Sequence, residues 1–64
     1  MCLSDAYEVT GSDRRPLLSY VSGISVDGDQ ITLTDMLGAK KIVSGKLKSV
    51  DLTRTVILIE PKSR

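Results

Sequence analysis

The chain contains no histidine, no tryptophan and no phenylalanine, and it has a single cysteine, Cys2. Without histidine it lacks the commonest metal ligand and the side chain that most often moves protons near neutral pH. No Ser/Lys or paired-carboxylate arrangement takes its place, so the chain is not expected to be an enzyme. Asp27 and Asp29 lie close in sequence, but they flank a predicted hairpin tip, where carboxylates serve turn geometry. Tyr7 and Tyr20 are the only aromatics, too few to form stacking platforms for single-stranded nucleic acid. The net charge of +1 is not that of a polycation seeking phosphate. One cysteine cannot form an intrachain disulfide, and a free thiol fits a reducing cytosol, so a cytoplasmic location is expected. No apolar run approaches the roughly 20 residues of a membrane-spanning helix. Asp5, Glu8 and Asp13 interrupt any apolar core of a signal peptide.

What is present starts at the N-terminus. Met1 before a small residue such as Cys2 is expected to be removed, leaving a free amine beside the thiol. Amine nitrogen and thiolate sulfur on one residue close a five-membered ring around a metal ion. Two such residues, one from each chain of a dimer, supply two sulfurs and two nitrogens, a donor set suited to square-planar Ni(II) or Cu(II). The plainer alternative is a small residue that packs under the first strand. Length bears on the choice. The 64 residues are read as one domain over residues 1–64, and a chain this short buries only about 60% of its unfolded surface. Such domains usually need a disulfide, a metal or a partner chain. With the disulfide excluded, a shared metal and a homodimer are the leading options.

Along the chain, Leu3 to Val9 reads as a first strand, with Tyr7 and Val9 suited to a pleated surface. Thr10 to Pro16 reads as a loop carrying Gly11, Ser12, Asp13 and the Arg14–Arg15 pair. Leu17 to Val26 is a second strand, in which Tyr20, Ile24 and Val26 share one parity, Ser22 fills the gap, and Gly23 marks a bulge or bend. A short helix over Pro16 to Tyr20 competes with it, but its β-branched and aromatic residues favour a strand. Asp27-Gly28 predicts a type I′ hairpin leading into Gln30 to Thr34, where Ile31 and Leu33 face the core. Asp35-Met36-Leu37-Gly38 is a second turn. Ala39 to Val50 is the next strand, bent at Gly45 and dotted with Lys40, Lys41, Lys46 and Lys48, which read as a solvated face or edge protection. Asp51-Leu52-Thr53-Arg54 is a third tight turn. Thr55 to Ile59 is the most apolar run and is expected to be buried on both faces, as a central or dimer-forming strand. Pro61 ends the ladder ahead of a polar tail. The fold class is therefore all-β: a small five- to six-stranded SH3-like or Sm-like barrel with no helix.

Several of these features in this order resemble one family. Met1-Cys2 opens a chain of about this length, and Tyr7 lies in the first strand. Asp35 to Gly38 forms an Asp-x-x-Gly turn. Gly45-Lys46-Leu47-Lys48-Ser49-Val50-Asp51-Leu52 is followed by an apolar strand closing on Glu60. Together they resemble the CooT family of small nickel-binding proteins, associated with nickel delivery to carbon monoxide dehydrogenase and also labelled predicted RNA-binding proteins. The resemblance implies an SH3-like or Sm-like barrel and a homodimer with one Ni(II) per dimer held between two copies of Cys2. It also implies a nickel-enzyme client or maturation factor as partner. Only Cys2 carries over as a metal ligand; Ser4 and Asp5 are hard oxygen donors and are not assigned. The competing function is an Sm-like RNA-binding module using Lys40, Lys41, Lys46 and Lys48. Binding to a membrane is not expected, and the low charge and missing aromatics weigh against nucleic acid.

Overall fold

The computed structural model describes residues 3–62. Within them five strands follow one another: β1 (Ser4–Thr10), β2 (Asp13–Asp27), β3 (Gln30–Asp35), β4 (Lys40–Asp51) and β5 (Val56–Pro61). Each pairs with the next in an antiparallel ladder, and β5 returns to β1, closing the barrel. The closing ladder is parallel, with Asp5 opposite Val56 and Glu8 opposite Ile59. That follows from the odd strand number: in an up-and-down ring of five, the first and last strands run the same way. The all-β barrel expected from the sequence is present, and no helix occurs among the described residues.

Two strands are long because each serves two sheets. β2 pairs with β1 through its first part and with β3 through its second, exchanging partners at Val21. β4 pairs with β3 up to Ser44 and with β5 from Gly45 onward. The barrel therefore has two corners, one in each long strand. At the β4 corner a Cβ on residue 45 would run into the Glu60 carbonyl and lie 3.1 Å from the Pro61 Cα, so only glycine fits. The Gly45 N–H also donates to the Asp29 carbonyl at 2.7 Å. At the β2 corner the register slips between Val21 and Gly23, and Tyr20 has φ +58°. The extra residue, Ser22, donates its hydroxyl to the Asp35 carbonyl at 3.0 Å. The bend expected at Gly45 and the bulge expected at Gly23 are both found.

Three expectations need correction. Thr10 to Pro16 is not a loop: only Gly11 and Ser12 leave the ladder, Thr10 pairs with Asp13, and Arg14 and Arg15 belong to β2. The second hairpin turns on Gly28-Asp29 rather than Asp27-Gly28, because Asp27 pairs with Gln30. Gly11 and Gly28 both have φ +61° as the first residue of a two-residue turn, the position a type II′ turn reserves for glycine. Composition misled in the first case, since polar and Pro residues also suit a strand at the surface. Finally, Thr55–Ile59 is paired on both edges but is not buried on both faces. β5 lies between β4 and β1 with both edges paired, Ile57 and Ile59 are buried, and Val56 and Leu58 are half-buried.

The core consists of Ala6, Val21, Ile31, Leu33, Ile57 and Ile59, with Leu17, Leu18 and Val43 packed against it. Ile31 and Leu33 face inward as their alternation requires. Ile24 and Val26 lie opposite Leu33 and Ile31 yet remain exposed, and the bulge puts Val21, not Tyr20, into the core. The shared parity of Tyr20, Ile24 and Val26 therefore does not mark a buried face.

Candidate functional site

The residue singled out by the sequence, Cys2, lies outside the described residues. Among those described, no group of three or more Cys, Asp or Glu side chains is placed to hold a metal ion. The nearest described structure is the start of β1, where Ser4 pairs with Val21 at the β2 corner. The Asp5 N–H donates to the Thr55 carbonyl at 2.9 Å, tying the strand to the β4–β5 turn. Thr55 itself has φ +56°, uncommon for a β-branched residue.

The start of β1 borders a cleft of about 210 Å³ lined by Ser4, Val21, Ser22, Gly23, Ile24, Val50, Leu52 and Ile57. Its floor is core: Val21 and Ile57. Its walls are apolar and open to solvent: Ile24 and Val50 are exposed, and Leu52 is 79% exposed. The turn that carries Leu52 is held by the Asp51 carboxylate, which accepts from the Thr53 and Arg54 N–H groups at 3.0 Å each. The turn chemistry uses Asp51, so nothing in it requires a leucine at the tip. Ile24, Val50 and Leu52 thus group as exposed aliphatics around a cleft floored by core residues. The sequence reading did not find Ile24, Val50 and Leu52 as a group; the one local sign was an apolar residue inside a tight turn.

A larger cleft, of about 320 Å³, lies at the β4 corner and is lined by Asp29, Gly45, Lys46, Glu60, Pro61 and Lys62. Size does not make it the better site. Lys62 Nζ lies 3.1 Å from Asp29 Oδ2, so an ion pair occupies its charged lining, and the lining holds no thiol or imidazole for a soft metal.

The four lysines are not one stripe. Lys40 and Lys41 pair with Thr34 and Leu33 on β3. Lys46 pairs with Glu60 on β5, beyond the Gly45 corner, and Lys48 Nζ is 4.0 Å from Glu60 Oε2. The positive charge is divided between two sheets, and one half has a carboxylate in its midst.

Comparison with known proteins gives the family. The model of the CO dehydrogenase accessory protein CooT matches residues 1–60, which include Cys2. The chain belongs to the CooT family. In structure it is similar to a candidate CooT from Carboxydothermus hydrogenoformans, with a TM-score of 0.89 and 24% identity over 97% of this chain and 100% of that one. At that identity the likeness establishes the fold. No curated protein matches the chain. CooT proteins are accessory proteins of CO dehydrogenase, so the chain's role is one of assistance rather than catalysis.

Proposed function

We propose that this CooT protein binds Ni(II) through Cys2 and supplies it to CO dehydrogenase or a related nickel enzyme in the cytoplasm. The observation that carries the reading is the family match across residues 1–60, of a family described as accessory to CO dehydrogenase. Cys2 carries the only thiol in the chain. One copy offers a thiolate and a nearby nitrogen, which is two good donors, and a square-planar ion needs four. A two-fold axis through the metal completes the set, giving one Ni(II) per homodimer.

The cleft at the β2 corner supports the same arrangement. An extended chain spans at most about 3.6 Å per residue, so covalent geometry keeps Cys2 within about 7 Å of Ser4, which lines that cleft. Contact between two copies across Ile24, Val50 and Leu52 would cover the exposed aliphatics and bring the two N-termini together. The doubly paired β5 leaves no strand edge for the contact. The RNA-binding alternative has less behind it, because the lysines do not form a continuous basic track.

The test is titration of the purified full chain with Ni(II), read by optical spectrum and by sedimentation. A thiolate-to-nickel charge-transfer band should saturate at one Ni(II) per two chains. Saturation at one per chain would overturn the shared site.

A further inference from the structure

The Asp35–Lys40 turn is built by two of its residues and carries two others that the turn does not need. Asp35 Oδ1 accepts from the N–H groups of Leu37 and Ala39 at 2.9 Å each. The Gly38 N–H donates to the Asp35 carbonyl at 3.0 Å, and Gly38 has φ +90°. Between them, positions 36 and 37 could hold any polar residue, as turn tips usually do. They hold methionine and leucine instead, 59% and 86% exposed. The Met36 N–H donates to the Tyr20 carbonyl at 3.0 Å, which places the tip beside a tyrosine that is 62% exposed on a backbone of φ +58°. Left-handed backbone at a bulky residue is rare and collects at functional surfaces.

The one anion of the turn, Asp35, is engaged within it, and the charges that follow next in the chain are positive. Lys40 and Lys41 follow directly, and among the described residues the ion pairs involve other lysines, Lys48 and Lys62. We propose that Tyr20, Met36 and Leu37, bordered by Lys40 and Lys41, form a docking knob for a client protein whose receiving groove is apolar with carboxylates on its rim. A pre-formed turn loses little freedom on binding, and methionine adapts its shape to a groove. A second copy of this chain fits poorly. A two-fold contact through the knob would set Lys40 and Lys41 against their own counterparts. A membrane surface also fits poorly, since interfacial anchors use Trp, Phe and a richer basic face.

The proposal rests on the accessory-protein reading for its probe, which is the nickel-free CO dehydrogenase of the same organism. Binding of the full chain is measured for wild type, M36S/L37S, K40Q/K41Q and K40R/K41R, with folding checked by circular dichroism. Expected are a loss of at least tenfold in affinity for M36S/L37S and a several-fold loss with a weaker salt dependence for K40Q/K41Q. K40R/K41R should bind nearly as well as wild type. Equal binding by M36S/L37S and wild type would overturn the knob and leave the accessory reading intact. No binding by wild type would overturn both the knob and this choice of client, while the nickel titration would still judge the metal site by itself. Two further outcomes would also overturn the proposal: M36S/L37S turning a dimer into a monomer, or wild type binding vesicles of phosphatidylcholine and phosphatidylglycerol through the knob.

Discussion

The two corners of the barrel solve one geometric problem in opposite ways. At the Gly45 corner β4 passes directly from Ser44 in one ladder to Gly45 in the next, with its own bulge only later, at Lys48, and Gly45 is held against the Glu60 carbonyl and bonded to Asp29. An ion pair between Lys62 and Asp29 lies alongside. That corner is tight and charged. At the Tyr20–Gly23 corner β2 changes sheets through a bulge and a left-handed tyrosine, and Ile24, Val50 and Leu52 stay open to solvent around it. The start of β1 attaches there, at Val21. One corner closes the barrel tightly, whereas the other leaves apolar surface beside the start of β1. A small barrel has few places to put a binding surface, and the proposed function puts it at the looser of the two bends.

The comparison breaks most sharply at Cys2. Cys2→Ser should abolish specific nickel binding and the charge-transfer band completely, because no other thiolate exists in the chain. Thermal stability and the metal-free dimer should be unchanged, since the core and the apolar cleft walls are built from other residues. Retained stoichiometric nickel binding by the serine variant, read by equilibrium dialysis, would remove the proposed site.

Gly45→Ala tests the other corner. The added methyl group meets the Glu60 backbone, which cannot swing aside as a flexible side chain would. Overpacking of this kind costs about 1–3 kcal/mol. In a domain of this size that lowers the melting temperature by roughly 5–20 °C. The number of nickel ions bound per chain at low temperature should not change. An alanine variant as stable as wild type would mean that the corner is not the constraint described.

How far the sequence reveals the two corners differs as well. Gly45 and Gly23 both announce bends, because a regular strand interior favours residues with a side chain to pack, and glycine weakens it. Asp35 and Asp51 announce their turns, and each carboxylate accepts two backbone N–H bonds as expected. Ile31 and Leu33 announce the core through strict alternation. The open corner is less legible for a physical reason: a bulge shifts the parity of everything beyond it, so Tyr20, Ile24 and Val26 look like one face although Val21 is the residue buried. The grouping of Ile24, Val50 and Leu52 depends on closure of the barrel, which no local pattern encodes. Cys2 lies outside the described residues, and its reading as a ligand rests on residue type and position in the sequence.

Leu52→Ser probes the open corner with a smaller effect. Leu52 is 79% exposed, so its loss should change the stability of one copy by no more than about 0.5 kcal/mol. If two copies meet across this cleft, the same change should weaken the dimer by about 1 kcal/mol or more, as truncating a central contact residue does. Sedimentation at falling concentration should show the variant dissociating before wild type, with nickel affinity weakened in parallel. An unchanged dimer would move the contact elsewhere on the barrel.

The smallest effect on nickel binding is expected where charge is most visible in the sequence. Lys40, Lys41, Lys46 and Lys48 lie on both sides of the Gly45 corner, two paired with β3 and two on the half that pairs with β5. Replacing all four with glutamine removes surface charges and one weak ion pair. The pair in question, Lys48 with Glu60, spans 4.0 Å between side chains about half exposed, a setting in which such pairs contribute about 0–1 kcal/mol. Nickel stoichiometry should therefore be unchanged, since none of the four is a soft donor and none lines the cleft beside Ser4. Binding of wild type to a single-stranded RNA should be weak, because a divided set of cations with Glu60 among them cannot follow a phosphate backbone. Tight RNA binding that falls steeply with added salt and disappears in the glutamine variant would show counterion release at work. That result would make the lysine face, rather than the open corner, the functional side of the barrel.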